Sequence, residues 1–182
     1  MSSGNLLPKF KDVEFMLGPK AYISDPCYYR HLDWEGSVST KSGIWQANAV
    51  HDNYGNFGTR VKSLLCWHKQ ASCHDVALSC SELLPFVVPV DSGQAGIFCE
   101  DFYPVDEFGS YNDDTTFYGR CCSVTLNHKS QMGTVFEHGV CSSSGFGDGS
   151  YVVYVERDFF GDIIALRMEF IQEEEESNED AA

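Results

Sequence analysis

Three aspartates in tight turns carry the residue types that a ligand site needs. Asp25 stands in Ile23-Ser24-Asp25-Pro26-Cys27-Tyr28, Asp91 in Val90-Asp91-Ser92-Gly93, and Asp148 in Gly145-Phe146-Gly147-Asp148-Gly149-Ser150-Tyr151. Each borders an apolar stretch, which places it where a strand ends. Loop carboxylates and carbonyls brought together hold a hard divalent cation through oxygen, and the same groups hold the polar edge of a small ligand. On that reading Asp25, Cys27, Tyr28, Asp91, Ser92, Asp148 and Tyr151 form a ligand-binding set. The competing role is structural: a short carboxylate beside Pro or Gly caps backbone N–H groups in an Asx-turn. Such turns are common punctuation, so the structural role carries the greater weight. Gly147-Asp148-Gly149 lacks the ligand spacing of an EF-hand loop, and no metal is assigned.

Other reactive side chains form weaker patterns. Cys27 lies close to Arg30 and His31, which would favour a thiolate nucleophile. No Cys-x5-Arg phosphatase loop is present, so a small buried Cys after a turn is the simpler account. Cys66, His68, Cys73 and His74, with Cys80 beyond them, are soft ligands for zinc, but their spacing matches no closed zinc module. The adjacent Cys121 and Cys122 read as one buried and one exposed thiol. Ser142-Ser143-Ser144-Gly145 is no Gly-x-Ser-x-Gly elbow. Gly145-x-Gly147-x-Gly149 is not followed by a helical pattern, so it is no dinucleotide fingerprint. The sequence calls for no cofactor and assigns no catalytic residue, with an enzyme of unknown reaction using Cys27 or Asp148 as an alternative to a non-catalytic protein.

Residues 100–118 are the strongest candidate for a binding surface. Glu100, Asp101, Asp106, Glu107, Asp113 and Asp114 alternate with Phe102, Tyr103, Phe108, Tyr111 and Phe117, without one Lys or Arg. Aromatic rings supply contact area and carboxylates select a basic protein partner. Glu100, Asp101, Asp106, Glu107, Tyr111, Asp113 and Asp114 form the expected partner-binding set, with nucleic-acid mimicry as its narrow form. The alternative is a solvated loop whose rings pack back on the body.

Charge supports an acidic binder. The chain has 182 residues and a net charge of −15, and six of its 27 acids lie between Glu173 and Asp180. The body is therefore acidic without its tail, which argues against direct nucleic-acid binding through phosphate contacts. The apolar run from Leu83 to Val90 contains Pro85 and Pro89 and is too short to span a membrane. Met1-Ser2-Ser3-Gly4-Asn5 has no charged start and no apolar segment, so the expectation is a cytoplasmic protein with eight reduced thiols. Oligomeric state leaves no mark in the sequence.

The elements that must position these residues are mostly strands. Val13–Leu17, Ala21–Ser24, Gly43–Val50, Arg60–His68, Val76–Leu78, Phe86–Val90 and Gly96–Cys99 read as strands, with a helix as the lesser alternative for Arg60–His68 and a short helix as alternative for Gly96–Cys99. Cys121–Leu126 and Thr134–Val140 are also strand-like. Tyr151–Glu156 and Ile163–Ile171 flank Phe159-Phe160-Gly161-Asp162 as a hairpin, with Leu166, Met168 and Phe170 on one face and Arg167 and Glu169 on the other. The expected organisation is a lead-in over 1–12, one β-rich domain over 13–171 with 100–118 as loop or insertion, and a disordered acidic tail over 172–182. The expected fold class is mainly β: an antiparallel sandwich or open barrel with one or two short helices.

The order of the three turn motifs also resembles an uncharacterised family of small bacterial and phage proteins. Its members carry Asp-Pro-Cys-Tyr, Val-Asp-Ser-Gly and Gly-Asp-Gly-x-Tyr motifs, and the likeness runs from Ala21 to Ile171. The family is a domain of unknown function. The resemblance implies an intracellular β-rich domain of bacterial or phage origin, with an accessory or anti-defence role among the expectations, and brings no established activity or catalytic residues.

Overall fold

Alternating burial makes the strands. In β1 (Val13–Leu17) Phe15 and Leu17 point inward while Met16 is exposed. In β4 (Gly43–Asn53) Trp45, Ala47 and Ala49 point inward, the period-two pattern of a strand with one dry face. The protein is seen in a computed structural model that describes residues 7, 9–30, 36–106 and 109–172. Six strands form one antiparallel sheet, in the order β1, β4, β5 (Thr59–His68), β11 (Ile163–Glu169), β10 (Gly149–Arg157), β6 (Glu82–Val90). Five form a second, in the order β3 (Ser37–Ser39), β2 (Lys20–Ser24), β7 (Gln94–Cys99), β9 (Gly139–Ser143), β8 (Met132–Thr134).

The two sheets face each other across one apolar core. Phe15, Trp45, Leu64, Leu166 and Met168 of the first sheet meet Ile23, Ile97 and Val140 of the second. This is a β-sandwich, one of the two forms the patterning allows. Each outer face also carries a helix. α1 (His74–Ser79) lays Ala77 on Leu65, Trp67, Cys80 and Ala165. α2 (Phe117–Leu126) lays Cys121 and Val124 on Tyr22, Phe98, Tyr103, Val135 and Cys141. Strand β7 is consequently buried along its whole length, which explains why its sequence does not alternate.

Three expected strands take other forms. Val76–Leu78 lies in α1, where the chain crosses the outer face between β5 and β6. Cys121–Leu126 is the body of α2, although its Val and Thr favour strands. The Thr116 hydroxyl caps that helix by accepting from the Gly119 N–H at 3.2 Å. Burial of Cys121, Cys122, Val124 and Thr125 on one face then holds it. Thr134–Val140 is not continuous but turns sharply between β8 and β9. Phe136 and Glu137 take left-handed φ values of 47° and 63° there, at positions where a hairpin turn usually has Asn or Gly.

Candidate functional site

The three aspartate turns meet at one end of the sandwich. β2 ends at Asp25, β6 and β7 are joined through Asp91-Ser92-Gly93, and β9 reaches β10 through the turn that holds Asp148. Gly149 pairs with Val90, and the Ser144 N–H donates to the Gly93 carbonyl at 3.0 Å. These contacts set the second and third turns side by side.

Asp25 ties the first turn to the second. Its side chain is fully buried. Oδ2 accepts the Asp91 and Ser92 N–H groups, each at 2.7 Å. Oδ1 accepts the Ser92 hydroxyl at 2.6 Å and the Cys27 N–H at 2.8 Å. Four donors saturate this carboxylate, so it has no lone pair left for a cation. Above it, Tyr28 donates its hydroxyl to Asp91 Oδ2, and that bond raises the phenol above its ordinary range. The Tyr103 hydroxyl bridges the carbonyls of Asp25 and Tyr28, at 3.2 and 2.7 Å. Tyr151 donates to the carbonyls of Gly147 and Ser144, at 2.6 and 3.1 Å, and so fixes the third turn. Asp148 itself is exposed and makes no side-chain hydrogen bond among the described residues. The turns therefore converge, but Asp25 spends its carboxylate inside the protein, and no group of three or more metal-binding side chains occurs among the described residues.

Cys27, Cys66 and Cys80 sit in environments that keep their thiols protonated. Burial, with the Asp25 carboxylate next, pushes Cys27 up to about 12. Arg30, expected to lower it, turns away to Glu100, and His31 lies outside the described residues. Cys66 is raised by full burial in the core between the sheets, whereas Cys80 is on the outer face under α1. Between them His68 is used up, with Nε2 on the Ser42 carbonyl at 3.1 Å and Nδ1 accepting from Ala71 N–H at 3.1 Å. The soft ligands of the zinc-like pattern are thus split across two faces of a sheet. Cys121 and Cys122 are both buried, because the segment is a helix and their side chains share its inner face.

The acidic-aromatic segment is anchored at both ends. Tyr103 is buried against Tyr22 and Phe98, and Phe117 stacks edge-on against Phe98 and Tyr103. Phe102 lies flat on His138 with ring centroids 3.5 Å apart. Glu100 does not face a partner: it is nearly buried and accepts from Arg30 Nη2 at 2.8 Å and the Ser37 hydroxyl at 3.0 Å. Asp101, Asp106, Asp113 and Asp114 are exposed, as is Tyr111, at 68%. Glu107 lies outside the described residues, as do Phe108 and residues 173–182 of the acidic tail. Asp113 caps its own turn, accepting from the Thr115 hydroxyl at 2.6 Å and N–H at 3.1 Å, which holds it below the usual carboxylate range.

Gly119 was not legible as part of this site, since a Gly inside an apolar stretch signals little alone. A Cβ there would stand 1.9 Å from the Asp113 carbonyl oxygen. The missing side chain is what lets the acidic segment lie against α2.

Fold and site together define a β-sandwich with a helix on each outer face, an aspartate-tied end and an acidic-aromatic segment clamped over one helix. No family model, curated protein or solved structure matches the chain. The bacterial and phage family drawn from the turn motifs therefore rests on those motifs alone. Among the described residues no helix is long and apolar enough to cross a membrane.

Proposed function

We propose that this protein is a non-catalytic acidic binder that engages a basic protein partner through the 100–118 segment. The observation that carries this reading is the exposure of Asp101, Asp106, Asp113 and Asp114 together with Phe102, Val105 and Tyr111. Exposed carboxylates steer and select a cationic surface, and exposed rings supply the contact area that charge alone lacks. Anchoring by Tyr103 and Phe117 supports it further, because a segment already held in place loses less entropy on binding. Thiol chemistry at Cys27 and cation binding at Asp25 find less support, since the first is held protonated and the second is saturated.

The test compares the protein with a variant carrying Asp→Asn at 101, 106, 113 and 114, on immobilised polylysine across a salt gradient. The unaltered protein is expected to be retained at low salt and released as salt rises, because screening weakens exposed charge pairs. The neutralised variant should elute markedly earlier. Equal retention of the two would remove the segment from the binding surface.

A further inference from the structure

We propose that the hollow between the acidic-aromatic segment and α2 receives an arginine side chain of the partner. This rests on the reading above and names the chemistry that the segment recognises. The hollow has a volume of about 450 Å³ and is lined by Tyr111, Asn112, Asp114, Ser123, Leu126 and Asn127, with the buried Gly119 and Cys122 behind them. That volume is in the range of sites that enclose a small ligand, enough for an arginine and the peptide that carries it.

The lining is a set of acceptors beside a ring and an aliphatic rim. Asp114 is exposed and, unlike Asp113, makes no hydrogen bond or ion pair among the described residues. Tyr111 is 68% exposed and makes no ring contact among them. Asn127 uses its amide nitrogen on the Ser123 hydroxyl at 3.4 Å, which leaves its carbonyl oxygen to accept. Asn112 Oδ1 accepts from the Ser110 hydroxyl at 2.7 Å and retains a second lone pair. Leu126, 78% exposed on the rim, is placed to cover an aliphatic stem. Arg120, the cation of α2, is not among the lining residues.

Charge complementarity selects the occupant. An anion would meet a free carboxylate and amide oxygens, and no residue from 100 to 118 offers a cation in return. A metal ion would need several convergent carboxylates, and the lining among the described residues holds one. A guanidinium satisfies all the parts together. Its fork pairs with a carboxylate through two N–H groups, its plane stacks on a phenol ring, and its remaining N–H groups reach amide oxygens. A lysine ammonium makes the ion pair but has no flat face for Tyr111.

The experiment titrates the full chain, ¹⁵N-labelled at low salt, with the capped tripeptide Gly-Arg-Gly, and with the same peptide carrying lysine or citrulline. Saturable shifts are expected at the side-chain amides of Asn112 and Asn127 and at the backbone of Tyr111 and Ser123. Lysine should bind about tenfold more weakly, and citrulline, the neutral isostere, should leave the spectrum unchanged. D114N and Y111L, both at exposed positions, should keep the dispersed spectrum and weaken arginine binding about tenfold or more. Equal response to lysine, or shifts spread evenly over the acids with D114N unaffected, would overturn the pocket. In the second case, loss of polylysine retention by the four-Asn variant leaves the acidic-surface reading standing. Retained polylysine binding in that variant removes both.

Discussion

Ser92 closes on Asp25 twice, its N–H on Oδ2 at 2.7 Å and its hydroxyl on Oδ1 at 2.6 Å. Those bonds span 67 positions in the chain and join the end of β2 to the turn between β6 and β7. β2 belongs to one sheet and β6 to the other, so a single buried carboxylate locks the sandwich at this end.

Replacing Asp25 by Asn should therefore destabilise the fold. An amide nitrogen would face N–H groups that now donate to oxygen, leaving buried donors unpaired. A loss of roughly 2–4 kcal/mol is expected, in line with removing a charged acceptor from several buried bonds. Ser92→Ala, which removes one hydroxyl donor and keeps the N–H bond, should cost about 1 kcal/mol. Urea unfolding of both variants measures the difference, and equal stability of D25N and the parent would contradict the tie.

The Cys27 thiol should be slow to alkylate. With burial and Asp25 holding it up to about 12, almost none of it is the reactive thiolate at pH 8. Exposed Cys73 should react first with iodoacetamide, followed at mass-spectrometric resolution. Rapid labelling of Cys27 at neutral pH would show a thiol more acidic than its surroundings allow.

His51 should impose a pH dependence on stability. Burial lowers its imidazole below the ordinary value, although contacts with the Ala49 and Ser130 carbonyls, each at 3.0 Å, pull the other way. The unfolded chain then takes up the proton more readily than the folded one. Stability should begin to fall as pH drops through about 6.5 and level off once the folded imidazole is also charged. Denaturation midpoints between pH 7.5 and pH 5 should show this slope, relative to a His51→Gln variant. An identical slope in both would assign the effect to other groups.

Gly119→Ala should push the acidic segment off α2. The added methyl would overlap the Asp113 carbonyl at 1.9 Å, and a backbone atom cannot rotate aside. Despite the better helix propensity of Ala, a net loss of about 1–3 kcal/mol is expected, as for other overpacked sites. Hydrogen exchange should quicken over residues 110–116, and arginine binding in the adjacent hollow should weaken with it. Unchanged exchange there would show that the contact can relax.

The longer strands with one wet face were legible from sequence, the three-residue β3 was not, and those with two dry faces were legible only in part, as apolar runs. Val13–Leu17, Gly43–Val50 and the final hairpin alternate because one side meets the core and the other meets water. Short helices were expected, but their places were not legible for a physical reason: α2 has β-branched and thiol side chains whose local preference is strand, and only the Thr116 cap and the burial of one face override it. The turn at Phe136 and Glu137 gave no signal, because its left-handed residues are neither Gly nor Asn.

The sequence by itself determined the β class, the acidity and the places where carboxylates punctuate strand ends, since these follow from composition and local period. Tertiary structure alone decided what each carboxylate does. Asp25 and Glu100 look as available as Asp114 in the sequence, yet the first two are enclosed by donors from distant segments and the third meets no donor among the described residues. A carboxylate's role depends on which groups the fold brings within hydrogen-bond distance, and contacts across 67 or 70 positions leave no trace in the residues beside it.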